Sequence, residues 1–378
     1  MKIELTPDQS KSKSEFSHFV VERIIPYADA FDDQKMFPSS VISSLGGRRY
    51  LGVNIAPELG GLGLDPIVSG LLFEQMGRAS CALMSLFAVH GMVAHAISNW
   101  SSDSQKKKWL PKLARGEAVA AFALTEPDAG TDASAIQSKI EKINGAWSLN
   151  GSKKWISFGM RADVFLVLAR LDGRVVGLLV DRNLPGLSIS PAPDMLSFRS
   201  AQLASLSFQN CCIPDENIIG HGGFGFSNIM NSCLNYGRYC VAWGSVGLAQ
   251  ACLEASVSYA SQRVQFGKLL KEHDLIREML SDMLTNVKAA RLLCYQAGYS
   301  RQMMKRAATS ETAIAKYFAS RAAAKAAADA VQIHGANGLS REYPVQRYFR
   351  DAKALELIEG SSQVHQMIIA KFADFTNA

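Results

Sequence analysis

The residues best suited to chemistry stand near the end of the chain. Glu359 lies between the apolar pair Leu357–Ile358 and Gly360, in the run Glu356-Leu357-Ile358-Glu359-Gly360-Ser361-Ser362-Gln363. Apolar surroundings disfavour an ionised carboxylate, raise its pKa and let it take a proton from a weak acid. The plain alternative is a helix-capping or surface glutamate. Three earlier segments offer binding groups. Phe122-Ala123-Leu124-Thr125-Glu126-Pro127-Asp128-Ala129-Gly130-Thr131-Asp132 passes from an apolar stretch into a Pro/Gly turn carrying two threonines. Such a turn aims N–H groups and hydroxyls at a planar polar ligand, or is an ordinary strand–loop junction. Lys153-Lys154-Trp155-Ile156-Ser157-Phe158-Gly159 sets an indole beside a small hydroxyl, fit to stack on a flat cofactor or to fill a core. Arg263-Val264-Gln265-Phe266-Gly267-Lys268 puts an arginine at the end of a helical pattern, suited to a phosphate or to a helix C-terminus.

Other patterns carry less. Gly220-His221-Gly222-Gly223-Phe224-Gly225 matches the spacing of a dinucleotide-binding turn, but the next segment is helical rather than a strand ending in an acid. A loop is the better reading. The histidines His18, His90, His95, His221, His273, His334 and His365 make no metal pattern, so no metal is expected. Lys106–Lys108 and Arg301–Arg306 read as solvated basic faces. The seven cysteines form no CxxC pair, which fits reduced thiols.

These residues need a scaffold to converge. The chain has 378 residues, 48% of them apolar and 20% charged, enough for a large core in two or three domains. A net charge of +6 spread over this length does not suggest nucleic-acid binding, though it leaves room for an acidic partner. The polar start MKIELTPDQSKSK carries no signal or transit pattern, and the apolar stretch Leu83–Ile97 reads as too short to cross a bilayer. The expectation is a cytoplasmic protein with no membrane partner.

Helical periodicity covers Phe16–Ala30, Asp65–Ala79, Leu83–Trp100 and Gln105–Arg115. From about residue 117 the pattern turns to short strands, with Asn144-Gly145, Asn150-Gly151 and Asp172-Gly173 as hairpin dipeptides. From Phe224 it is helical again, over Val241–Arg263, His273–Lys305 and Ser310–His334, with a final helix capped by Ser361 and Ser362. The expected fold class is α+β. It comprises an N-terminal α-helical domain (1–116), a central antiparallel β domain (117–220) and a C-terminal helical-bundle domain (221–378).

In this order the segments resemble the acyl-CoA dehydrogenase family over nearly the whole chain. The resemblance rests on Thr125-Glu126-Pro127 with Ala129–Asp132, Trp155-Ile156-Ser157, Arg263…Phe266-Gly267 and Gln332-Ile333-His334-Gly335. It continues through Glu342-Tyr343-Pro344-Val345 with Arg350–Lys353, and ends on Glu359–Gln363. It implies a four-helix bundle at the C-terminus and FAD bound between the β domain and those helices. Phe122, Leu124, Thr125, Gly130 and Thr131 would line the flavin and its pyrophosphate, and Trp155 and Ser157 would meet the ring. Ser361 and Gln363 would touch FAD, while Arg263, Phe266, Gln332 and Gly335 would reach the adenine end of FAD in a neighbouring subunit. Glu359 falls on the family's base, whose own N–H helps hold the enolate oxygen, and hydride passes to flavin N5. Asn235, Arg238 and Gly360 fall at the substrate, Asn235 standing where an Asp is common. The resemblance further implies a homodimer or homotetramer, and electron-transfer flavoprotein or another acceptor.

Asn235-Tyr236-Gly237-Arg238, Val241–Gly247 and Leu357–Ser362 look most like dehydrogenases that make hydroxymalonyl-type extender units on an acyl carrier protein in polyketide pathways. That branch implies a three-carbon 2-hydroxyacyl group on carrier-protein phosphopantetheine, oxidised at C3. The alternatives are a short-chain acyl-CoA dehydrogenase of fatty or amino acid catabolism and, more remotely, a non-catalytic helical scaffold.

Overall fold

A computed structural model describes residues 4–219 and 225–373; Gly220–Phe224 of the glycine-rich run lie outside the described residues. The N-terminal part is helical: α1 (Pro7–Arg23), α2 (Ala28–Gln34), α3 (Ser39–Gly47), α4 (Pro66–Ala79), α5 (Cys81–Trp100) and α6 (Asp103–Ala114). The periodicity over Phe16–Ala30 is shared by two helices, with a 3₁₀ turn over Ile25–Tyr27 between them. Pro26 sits in that turn and has no N–H with which to continue α1. Asp65, Ser80 and Ser102 start α4, α5 and α6 by accepting the N–H groups of Val68, Leu83 and Gln105.

Helix α5 runs beyond the apolar stretch Leu83–Ile97. At 20 residues with a mean hydropathy of 1.6 it is long and apolar enough to cross a bilayer, as is the segment Asn228–Ala260. The expectation that this stretch is too short is therefore corrected. Both helices are mostly buried inside the fold, 89% of the α5 window and 78% of the other, so protein covers their apolar faces.

The middle part is a sheet of β1 (Ala120–Ala123), β2 (Lys139–Ile143), β3 (Ala146–Ile156), β4 (Val164–Leu171), β5 (Arg174–Asp181), β6 (Leu187–Pro191), β7 (Ala204–Ile213) and β8 (Ile218–Ile219). Its order is β6-β7-β3-β2-β4-β5-β8, with β1 beside β4. Most pairs are antiparallel, while β1 and β2 run parallel to β4 along its free edge. Asn144-Gly145 joins β2 to β3 and Asp172-Gly173 joins β4 to β5, both in left-handed turns. Asn150-Gly151 is not a hairpin, contrary to expectation. It lies inside β3, where the register against β7 shifts. Gly151 has φ +141°, and a Cβ there would lie 2.5 Å from the Ser138 hydroxyl, so the glycine admits a neighbouring chain rather than turning the strand.

The rest is helical: α7 (Asn231–Ala260), a small hairpin β9 (Val264–Gln265) and β10 (Lys268–Leu269), then α8 (Asp274–Gln302), α9 (Ala308–His334), α10 (Val345–Leu357) and α11 (Ser362–Ala373). The chain is thus a helical N-terminal part, a sheet and a helical C-terminal part. Alternation along β1 links them. Ala121 and Ala123 face the core within the sheet, while Phe122 and Leu124 join the core shared by the two helical parts. Arg301 is no solvated charge. It stacks 4.6 Å from the Tyr239 ring and donates to the Asn235 carbonyl at 2.6 Å.

Candidate active site

A cleft of about 640 Å³ opens where sheet and helices meet. Phe122, Leu124, Thr125, Gly130, Thr131, Trp155 and Ser157 line it from the sheet side. Arg238 (α7) and Leu357–Ser361 line it from the helical side, and Ser85, Ala88 and Val89 of α5 complete it.

Each wall has its own fastening. The turn after β1 is held by Glu126, whose carboxylate accepts the N–H groups of Gln137 and Ser138 and the ammonium of Lys153, at 2.7 Å. Lys153 is fully buried and also donates to the Leu124 carbonyl at 3.0 Å. This buried, hydrogen-bonded pair ties β3 to the segment carrying Thr125. Trp155 sits at φ +61°, rare for a bulky residue, and remains 39% exposed with its indole on the cleft. The opposite wall, Met195–Phe198, is pinned by α10: Arg350 donates to the Leu196 carbonyl, and Asp351 accepts the Phe198 N–H at 3.0 Å. Burial pushes the Asp351 carboxyl up to about 6, against the pull of Arg347.

Glu359 is presented from the bend between α10 and α11. Ile358 closes α10, then Glu359 takes a left-handed φ of +54° and Gly360 one of +95°. A non-glycine residue in that region stores on the order of 1 kcal/mol of strain, which the surroundings must hold. They do so through two consecutive carbonyls. Arg238 Nε donates to the Glu359 carbonyl at 3.1 Å, and Lys316 Nζ donates to the Gly360 carbonyl at 2.8 Å. The Glu359 N–H donates to nothing among the described residues. Its Oε2 is buried without a hydrogen-bond partner. Burial raises the carboxyl to about 7, while Arg238 and Lys316 pull the other way. The site thus holds a proton acceptor poised near neutrality in an apolar cleft, with a free backbone donor on the same residue.

Three family models match along the chain. They are the acyl-CoA dehydrogenase N-terminal domain over residues 6–117, the middle domain over 121–211 and the C-terminal domain over 223–373. This chain belongs to the acyl-CoA dehydrogenase family. The glutaryl-CoA dehydrogenase of Desulfococcus multivorans is 36% identical over 380 residues, covering 98% of this chain and 97% of that protein. The butyryl-CoA dehydrogenase of Megasphaera elsdenii superposes with a TM-score of 0.94 at 33% identity, covering 99% and 100%. FkbI, for biosynthesis of the methoxymalonyl extender unit of the polyketide Fk520, superposes with a TM-score of 0.87 at 28% identity, covering 96% and 98%.

Acyl-CoA dehydrogenases are FAD-dependent oxidoreductases of acyl thioesters, and this cleft fits the cofactor. An exposed indole, apolar Phe122 and Leu124, and hydroxyls of Thr125, Thr131, Ser157 and Ser361 line one continuous space with the unpartnered Glu359 carboxyl. Gly130 and Gly360 line it too. Asn235 does not line it; its Oδ1 is buried without a partner beneath the α7 surface. Gln363 is exposed on α11, outside the cleft lining. Arg263, Phe266, Gln332 and Gly335 are exposed away from the cleft, Phe266 at 96%. The first two follow α7 and the last two end α9, and these ends meet where Tyr259 stacks on His334 at 4.2 Å.

Sequence reading missed Gly237, Lys316 and His365. A lysine on the Ala-rich buried face of α9 and a glycine inside α7 were the available signals.

Proposed function

We propose that this acyl-CoA dehydrogenase family member oxidises an acyl thioester with Glu359 as the base. The observation that carries the reading is the buried Glu359 Oε2, without a partner, in the cleft. The α-hydrogen of a thioester is weakly acidic, so a carboxylate removes it only where water is excluded and the developing enolate oxygen meets fixed donors. The walls around Glu359 are mostly apolar, and the Glu359 N–H supplies one such donor. Thr125, Thr131, Trp155, Ser157 and Ser361 would hold FAD. When bound, FAD supplies the acceptor for the hydride from the β-carbon. A base of this kind contributes roughly 10²–10⁴-fold in rate. The charged side chains lining the cleft are Glu359, Arg238 and Lys353. Arg238 is engaged with the Glu359 carbonyl, and Lys353 is at the mouth, paired with Glu356.

The finer assignment is a three-carbon 2-hydroxyacyl group on an acyl carrier protein, in extender-unit biosynthesis. The Asn235–Arg238 and Val241–Gly247 segments, the likeness to FkbI and the net charge of +6 support it. A free CoA thioester is the second reading, favoured by the higher identity to the glutaryl- and butyryl-CoA dehydrogenases. Further parts of the reading are a homodimer or homotetramer in which Arg263, Phe266, Gln332 and Gly335 reach the neighbour's FAD, electron-transfer flavoprotein or another acceptor, and a cytoplasmic location.

Anaerobic titration tests both levels. The yellow protein should bleach with the substrate thioester, and Glu359→Gln should stay yellow and unbleached. Bleaching of that variant at the normal rate would remove Glu359 as base. The same short acyl groups on CoA and on carrier protein separate the two carriers, and robust turnover of the CoA forms would sink the carrier-protein assignment.

A further inference from the structure

We propose that Lys316 is a positioning residue for the base: it fixes the Glu359–Gly360 bend through the Gly360 carbonyl and, beside Arg238, is a buried countercharge of the Glu359 carboxylate. The proposal rests on Glu359 being the base.

Lys316 is fully buried, in the middle of α9, among Ala313, Ala315, Ala319 and Ala323 on that helix's packed side. A lysine rarely goes wholly out of water, because its ammonium loses hydration that a single hydrogen bond does not replace. Here one bond is present, the 2.8 Å donation to Gly360. A neutral donor would serve a carbonyl as well without the desolvation penalty of a charge. The charge therefore needs a reason, and the nearby carboxylate supplies one.

Two buried cations face the Glu359 carboxylate, Arg238 the more strongly and Lys316 after it. From α7 come Arg238, Cys233 and Cys240; from α9, Lys316; from α10, Glu356; from α11, His365. Burial drives both thiols up, so they stay neutral. Burial drives His365 down to about 3, against the pull of the Glu359 backbone carbonyl, and it adds no charge at neutral pH. Glu356 pairs outward with Lys353 at 3.0 Å. Arg238 holds the Glu359 carbonyl through Nε and keeps its charge beside the carboxylate, so Lys316 is the second cation of the site, the one that also holds the Gly360 carbonyl. Burial lowers Lys316, while the Glu359 carboxylate acts to keep it charged, as Lys316 in turn favours the ionised carboxyl.

The test uses the FAD-loaded protein and two neutral variants. Lys316→Met removes both charge and donor; Lys316→Gln removes the charge and keeps a donor. Infrared-detected titration follows the carboxyl band, identified as the band missing in Glu359→Gln. Stopped-flow bleaching by butyryl-CoA and by butyryl carrier protein follows the base over pH 5–9. Losing the cation disfavours the carboxylate. Both variants should therefore move the carboxyl midpoint and the rising limb of the bleaching profile up by a pH unit or more, a loss of about tenfold or more at pH 7. If Lys316→Met does not fold with FAD bound, Lys316→Gln carries the measurement. An unmoved midpoint in a folded variant overturns the proposal. So does a wild-type profile in Lys316→Gln beside a shifted one in Lys316→Met, which would leave only a hydrogen bond. Failure of the base assignment itself shows separately, as normal bleaching in Glu359→Gln.

Discussion

The α-carbon of Gly237 faces the Glu359 carboxyl so closely that a methyl group there would lie 2.6 Å from Oε2 and 2.7 Å from Cδ. The carboxyl has its seat because α7 lacks a side chain at that point. A displacement of about 1 Å at a reacting group lowers rates on the order of 10²-fold. Gly237→Ala should therefore keep FAD and slow anaerobic flavin reduction by about that factor. A variant reducing at the wild-type rate would place the working carboxylate elsewhere.

The acidity of Glu359 sets a pH limb. Burial raises its carboxyl from 4.5 to about 7, so below that pH it is protonated and cannot act as a base. The kcat/KM for flavin reduction should climb about tenfold per pH unit up to about 7 and then level. A raised carboxyl also means the folded state holds its proton more tightly than the unfolded chain. Stability is thus lost as pH rises from 4.5 towards 7. Glu359→Gln should accordingly melt higher than wild type at pH 8, by a larger margin than at pH 5. Equal margins in a calorimetric pH series would show that the carboxyl is not buried in solution.

The Glu126–Lys153 pair should behave as a unit. Removing one partner of a buried, hydrogen-bonded ion pair leaves the other charge stranded, at a cost of about 3–5 kcal/mol. Lys153→Met should lose that much stability by denaturant titration. It should also lower FAD affinity, because the turn bearing Thr125 loses its tie to β3. Lys153→Met combined with Glu126→Gln should recover part of the stability. A double variant no more stable than the single would mean that the pair is not energetically coupled.

Phe266 and Arg263 test the proposed contribution of a second subunit. Neither lines the cleft of its own chain, and Phe266 is exposed. Phe266→Ser and Arg263→Ala should leave the circular dichroism spectrum and Glu359 titration unchanged while FAD is lost on gel filtration. Full FAD retention in both variants would show that cofactor binding is complete within one chain.

The amount of fold legible in the sequence followed the strength of local signals. Alternation marks β7, where Leu206 and Phe208 face inward, and helical periodicity marks α4, α5 and α6. Local signals erred where a distant neighbour decided the matter. Asn150-Gly151 has the composition of a turn, yet Ser138 approaching from β2's side makes the glycine a crossing point in a long strand. Arg301 heads a basic run, yet Tyr239 and the Asn235 carbonyl take it inward.

At the site, the sequence by itself determined the family, the order of its motifs and which carboxylate lies in apolar company. These depend on residue types near one another along the chain. Only the tertiary structure decided how that carboxylate is held: the gap over Gly237, the carbonyl grips of Arg238 and Lys316, and the neutral His365 come from α7, α9 and α11. Desolvation and charge act through space. The acidity of Glu359 is therefore set by side chains far away along the chain, and no reading of its own segment contains it.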